Sequence, residues 1–238
     1  MANHLKNLAR PATETSRAGD SSPPLSRILI IEDHPLMREG IAMWINQDPR
    51  MEVCGQFGIA AEGMGGVTQL KPDLVLCDIT LNKGNGLELL KDINAYYPEL
   101  PVIMLSMHDE SIYALRAMRA GARGYVMKRA GGAEVVSAIC RVLSGEHAFS
   151  MKVTNQIMAE LSGLNRGRQS PVAALTDREF EIFQLYGKGN SSGEIARILN
   201  LSPKTVGTHR INICRKLELK STSELICLGV HYGDAAMS

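Results

Sequence analysis

The chain has 238 residues, of which 45% are hydrophobic and 21% charged, with a formal net charge of +1. That length exceeds the usual ~100–150 residues of one domain and predicts two, while a composition near the globular averages of about 45–50% apolar and 25% charged excludes a fibrous or disordered chain. No apolar run approaches the ~20 residues of a membrane span, and MANHLKNLARPATETSRAGDSSPP lacks the apolar centre of a signal peptide, so a cytoplasmic protein without membrane contact is expected.

The net charge hides an asymmetry. Residues 27–150 carry 12 basic and 15 acidic side chains, whereas residues 151–238 carry 11 and 8. An acidic front half suits a cation site, and a mildly basic back half suits a polyanion. The five cysteines are odd in number and scattered through apolar contexts, which predicts reduced core thiols rather than disulfides or a zinc site.

Residues 1–26 have no apolar period and read as a flexible tail. From Arg27 onward, apolar runs at 28–31, 52–55, 74–77, 102–105 and 124–127 predict five strands, and segments near 35–47, 60–70, 86–96, 109–120 and 131–144 have helical spacing. Strands alternating with helices imply a doubly wound α/β domain with a five-stranded parallel sheet, over residues 27–146. The stretch SGLNRGRQSP then breaks the pattern, and 147–171 is assigned as linker. Four short helices are expected in 172–238. Three are announced by capping-box spacings, Thr176 with Glu179, Ser191 with Glu194 and Ser221 with Glu224, and the fourth by Ser202-Pro203.

In a doubly wound sheet, ligands bind beyond the carboxyl ends of the strands. Four strands run out into polar residues there: the first into Glu32 and Asp33, the third into Asp78, the fourth into Ser106 and the fifth into Lys128. Three neighbouring carboxylates repel, so a cation is expected among them. A small set of oxygen ligands favours Mg²⁺, which keeps waters and shares its shell with phosphate. The chemistry that suits the set is phosphoryl transfer, with Asp78 as nucleophile, Lys128 pairing with the phosphoryl group and Ser106 bonding one of its oxygens.

The blocks IIEDHPLMREG, LVLCDITLNKGNGLELL, PVIMLSMHD and AGARGYVMK resemble, in order and spacing, those of response-regulator receiver domains, which have the flavodoxin-like fold. The resemblance implies that a sensor histidine kinase phosphorylates Asp78, that Glu32, Asp33, Asp78 and the backbone carbonyl of Thr80 hold Mg²⁺, and that Ser106 and Tyr125 form a switch pair, the ring turning inward behind the hydroxyl. Asn82 stands where the family commonly has proline, which bears on the lifetime of the phosphate.

In the back half, GEIARILNLSPKTVGTHRINICRKLEL reads as two helices joined tightly at Asn200–Leu201. On a helical wheel, Val206, Ile213 and Leu217 share one face. Lys204, Thr208, Ile211 and Arg215 lie opposite, beside Gly207 and Asn212, and such a face can enter a major groove. A small helical interaction domain is the alternative from charge alone. The whole region resembles the four-helix LuxR-type helix-turn-helix, and together with the receiver it resembles the NarL/FixJ class. That implies a scaffold helix at 192–199, a recognition helix at 203–217 and a final helix at 221–232 that commonly pairs subunits. It also adds Thr205, His209 and Lys216 to the residues expected at promoter DNA. Leu225, Ile226, Leu228 and Val230 serve either that pairing or the domain's own core.

The function expected is therefore a transcription regulator rather than an enzyme, assisting its own aspartyl phosphorylation and dephosphorylation and forming a DNA-binding homodimer when phosphorylated. A Mg²⁺-dependent phosphohydrolase and a phosphorylation-independent regulator are the alternatives.

Overall fold

The computed structural model describes residues 25–81, 84–107, 110–161, 171–199 and 201–234. The expectations for residues 1–24, for Asn82 and Lys83, for the stretch 162–170 and for Asn200 lie outside the described residues.

Five strands, β1 (Ser26–Ile31), β2 (Met51–Phe57), β3 (Leu74–Asp78), β4 (Val102–Ser106) and β5 (Gly124–Met127), pair in parallel in the order β2-β1-β3-β4-β5. The central strands are apolar up to their polar ends because both faces of the sheet are covered there: every residue of β3 and β4 is buried. Alternation divides them. Ile28, Ile30, Leu74, Leu76, Ile103 and Leu105 meet α1 (Pro35–Asn46) and α5 (Gly132–Leu143), while Leu29, Ile31, Val75, Cys77, Val102 and Met104 meet α2 (Ala60–Leu70), α3 (Gly86–Tyr96) and α4 (Glu110–Arg119).

The five helices of this half fall within a residue or two of their expected limits. The segment expected as linker differs. Its first residues run beside β5, with the Tyr125 N–H donating to the Ala148 carbonyl (2.9 Å), so the open sheet edge is covered. A further helix, α6 (Met151–Leu161), follows and packs on α4 with Val153 buried. Met151, Val153, Ile157, Met158 and Leu161 recur at helical spacing in a segment read as linker, and the α4 surface is what covers this helix.

The remaining chain forms α7 (Asp177–Gly187), α8 (Ser192–Ile198), α9 (Pro203–Lys216) and α10 (Thr222–Asp234). Thr176/Glu179 and Ser191/Glu194 make complete capping boxes, and the Ser202 hydroxyl accepts from the Thr205 N–H. At α10 the box is displaced by one residue: Ser221 caps Glu224, but the Glu224 carboxylate takes the N–H of Lys220. The core thiol expectation holds for Cys77, which is buried, but Cys227 is exposed on α10, because its helical position faces away from α7.

The helices α7 and α10 touch at Gly187 and Gly229. A Cβ on Gly187 would lie 2.5 Å from the Gly229 carbonyl carbon, and one on Gly229 would lie 2.7 Å from the Gly187 Cα. Gly187→Ala and Gly229→Ala are therefore expected to lower unfolding free energy by about 1–3 kcal/mol through overpacking. Gly207→Ala, with nothing within 4 Å of its added Cβ, is expected to raise it by up to ~1 kcal/mol through helix propensity. Urea unfolding of the three variants reads the opposite signs.

Candidate phosphorylation site and DNA-binding face

The sheet register assembles the site. Ile31 pairs with Cys77, so Glu32 lies beside Asp78; Asp78 pairs with Leu105, and Ser106 pairs with Met127, which brings Ser106 and Lys128 to the same rim. The rim lies where strand order reverses between β1 and β3. Gly86 lets α3 approach from behind, since a Cβ there would fall 1.9 Å from the Asp78 carbonyl oxygen.

Glu32, Asp78 and Ser106 are buried. Lys128 extends from the turn after β5 and places its ammonium 2.6 Å from Glu32 Oε2 and 2.8 Å from Asp78 Oδ2. The Thr80 N–H donates to Asp78 Oδ1 (3.2 Å). Burial pushes the Asp78 carboxyl up to about 6, with Lys128 opposing and Glu32 reinforcing the shift. Burial also disfavours the charged Lys128, but the two carboxylates outweigh it and hold its pKa above the ordinary lysine value. The thiol of Cys77, behind the site, is pushed up by burial and is inert.

His34 was not singled out by the sequence reading. It sits at the start of α1, where its side chain caps no helix N–H. Instead Nδ1 lies 2.8 Å from Asp33 Oδ1 and 3.2 Å from Glu32 Oε1. One ligand atom each from Glu32, Asp33, His34 and Asp78 falls within 4.8 Å of the others. The carboxylates form a hard, anionic oxygen set that fits Mg²⁺. Tyr125, expected to turn inward on activation, is already buried in this structure, near Tyr113 of α4.

On α9, Val206, Ile213 and Leu217 are buried, and Lys204, Thr208, Ile211 and Arg215 face solvent. Thr205, Gly207, His209 and Asn212 are half-buried at the margins of that face. The ammonium of Lys216 lies 2.6 Å from buried Glu179 on α7, which needs a counter-charge, and so it ties α9 to its own domain. Leu225 likewise belongs to the core rather than to a pairing surface, whereas Val230 is exposed.

The two halves also meet. Arg116 of α4 donates to the carbonyls of Val172 (2.7 Å) and Leu175 (2.9 Å), pairs with Asp177 (3.0 Å) and lies 4.5 Å over the Phe180 ring. Lys91 of α3 pairs with the same Asp177 at 2.5 Å. Tyr113 bonds Gln184 through its hydroxyl and meets Phe180 edge-on. Burial pushes the Asp177 carboxyl up, but Lys91 and Arg116 outweigh it and hold it below the usual carboxylate range. Beside this contact a cleft of about 890 Å³ runs from Thr80 and Glu88 to Glu181, Lys188 and Arg197. None of these contacts had a sequence signal, since each joins residues more than fifty positions apart.

Comparison with known proteins adds a second line. Residues 28–140 match the response regulator receiver domain family and residues 173–228 match the luxR family of bacterial regulatory proteins. The oxygen regulatory protein NreC of Staphylococcus aureus is 35% identical over 205 residues, covering 84% of this chain and 94% of NreC. A LuxR-family two-component response regulator from Aurantimonas sp. SI85-9A1 is 33% identical with a TM-score of 0.54, over 58% of this chain and 99% of that one. The RcsB protein of Salmonella enterica serovar Typhimurium, bound to promoter P1flhDC in the presence of the phosphomimetic BeF3-, shares the fold at 22% identity and a TM-score of 0.65, over 88% and 98% of the two chains.

Removing the Lys128 ammonium leaves two buried carboxylates without their counter-charge. Lys128→Met is expected to cost about 3–5 kcal/mol of stability at pH 7. Lys128 opposes the upward push of burial on Asp78, which stands at about 6 in the wild type, so without the ammonium the carboxyl is pushed further up and takes its proton at a higher pH; the loss therefore shrinks as pH falls toward about 6. Urea unfolding at pH 7.5 and pH 5.5 checks this, and an equal loss at both would contradict it.

Proposed function

From the premise that the chain belongs to the NarL/FixJ class of response regulators, and so is a phosphorylation-controlled, DNA-binding transcription regulator, we propose that Asp78 is its phospho-acceptor and α9 its recognition helix. The single observation that carries the site assignment is the delivery of Glu32, Asp33, Asp78, Ser106 and Lys128 to one rim by four strands. The domain limits that accompany it are 27–146 and 172–238, joined by 147–171.

In this reading an Asp78 oxygen attacks the phosphorus of a sensor kinase's phosphohistidine, the new P–O bond forms as the P–N bond breaks, and the imidazole leaves. Glu32, Asp33, Asp78 and the Thr80 carbonyl hold Mg²⁺, which supplies charge neutralisation for the transferring oxygens. Lys128 follows the charge: its ammonium leaves Glu32 for the phosphoryl group, and the Ser106 hydroxyl donates to another phosphoryl oxygen. Kinase and promoter meet the protein in the cytoplasm.

The output is a population shift. The contact of α3 and α4 with α7 fixes the effector helices against the receiver, yet Lys204, Thr208, Ile211 and Arg215 remain open to solvent. Control therefore acts on the orientation of the recognition helix within a homodimer, not on covering it. Dimer half-sites lie about one helical turn apart, and the promoter-bound RcsB structure supports the pairing of this fold with DNA.

Phosphoramidate and Mg²⁺ are expected to raise the affinity of the wild type for promoter DNA in a mobility-shift assay, and Asp78→Asn is expected to abolish the response; equal binding by both would refute phosphorylation control. Arg116→Ala, which removes four interdomain contacts, is expected to raise DNA affinity of the unphosphorylated protein by about fivefold or more, within the usual range of coupling energies. Fluorescence anisotropy with labelled DNA reads that change.

A further inference from the structure

The acidic rim contains one cation whose role the phosphoryl chemistry does not use. Arg38 lies one turn into α1, with its N–H bonded to the His34 carbonyl at 3.0 Å. Its guanidinium turns back to β1 and donates from Nη1 to the main-chain carbonyl of Glu32 at 2.6 Å. That carbonyl belongs to the peptide unit joining Glu32 to Asp33. The Glu32 N–H is held independently by the Phe57 carbonyl at 2.9 Å, and the Glu32 side chain accepts from the His34 N–H at 3.1 Å.

The loop after β2 leaves room for this reach. A Cβ on Gly58 would lie 3.4 Å from Arg38 Nη1 and 3.9 Å from both the Asp33 Cα and the Glu32 carbonyl oxygen. An added Cβ would sit in ordinary van der Waals contact with the guanidinium, so the loop lies directly against it. An arginine spent on a backbone carbonyl beside three carboxylates is otherwise unexpected, because a free guanidinium gains more from a carboxylate than from a neutral acceptor.

We propose that Arg38 is a positioning residue for the cation site: by clamping the Glu32 carbonyl it fixes the peptide plane through which Asp33 enters the site, and so sets the carboxylate geometry that binds Mg²⁺. The inference rests on the reading of Glu32 and Asp33 as Mg²⁺ ligands. Mg²⁺ demands near-ideal octahedral geometry, so a ligand that wanders loses affinity steeply. Groups that orient metal ligands typically contribute 10–100-fold in affinity. Arg38 holds backbone and not the ligating oxygens, so its effect falls at the low end, about tenfold.

Two physical effects of removing Arg38 have opposite signs, which makes the inference testable. Loss of a positive charge near the carboxylates would tighten Mg²⁺ binding, whereas loss of the clamp would weaken it. Calorimetric titration of Mg²⁺ into the full-length wild type, Arg38→Met and Arg38→Lys separates them, alongside the Mg²⁺ dependence of phosphorylation by phosphoramidate. Arg38→Met is expected to raise the Mg²⁺ dissociation constant about tenfold, while the phosphorylation rate at saturating Mg²⁺ stays within about twofold of the wild type. Arg38→Lys, which keeps a cationic donor, is expected to recover most of the affinity. A wild type with saturable binding beside an Arg38→Met variant that binds as tightly or more tightly overturns the clamp alone, as does an Arg38→Lys variant no better than Arg38→Met. A wild type that takes up no Mg²⁺ overturns the metal-site reading and the clamp with it.

Discussion

The ammonium of Lys128 between Glu32 and Asp78 is the interaction on which the rest of the first domain depends. A parallel sheet covered on both faces buries its strand ends as well as its strand centres, and the carboxylates at those ends are removed from water. Without a counter-charge that arrangement would unfold or neutralise itself. One lysine from the turn after the fifth strand opposes the burial that lifts the Asp78 carboxyl to about 6. On the proposed mechanism an incoming phosphoryl group replaces those two carboxylate oxygens as the partners of the ammonium.

The two halves of the chain meet close to the rim. Thr80, two residues beyond Asp78, lines the cleft that Glu181, Lys188 and Arg197 close from the other side. Tyr113 stands between buried Tyr125 and Gln184 of α7. Arg116 and Lys91 converge on Asp177, the first residue of α7. An N-terminal carboxylate already favoured by the helix dipole is thus shared between α7 and the receiver. One apolar core runs without a break from Val75 and Met104 through Tyr113 and Phe180 to Val206 and Ile213. Packed side chains, not solvent, lie between the strands behind Asp78 and the effector helices.

Within the effector half, Glu179 plays a part that its capping-box role does not reveal. It closes the start of α7 by accepting from the Thr176 N–H, and it also holds Lys216 at the end of α9. The helix α9 is therefore tied to α7, the same helix that Arg116 and Lys91 grip. The receiver leaves Lys204, Thr208, Ile211 and Arg215 exposed.

The sequence by itself determined the five strands, their flanking helices, the three carboxylates, Ser106 and Lys128, because each is written in local periodicity or in the residue that follows an apolar run. It also determined the four effector helices, since capping boxes and Ser202-Pro203 are local signals. Only the tertiary structure decided what distance in sequence conceals. It turned Lys216 inward to Glu179, placed Leu225 in the core and left Cys227 outside, folded 151–161 onto α4, brought His34 and Arg38 to the acidic rim, and joined Arg116 to Asp177. Lys216, Leu225, the helix 151–161 and Arg116 are each settled by a partner distant in sequence, and the pairing energy of such groups does not exist until packing removes the water between them.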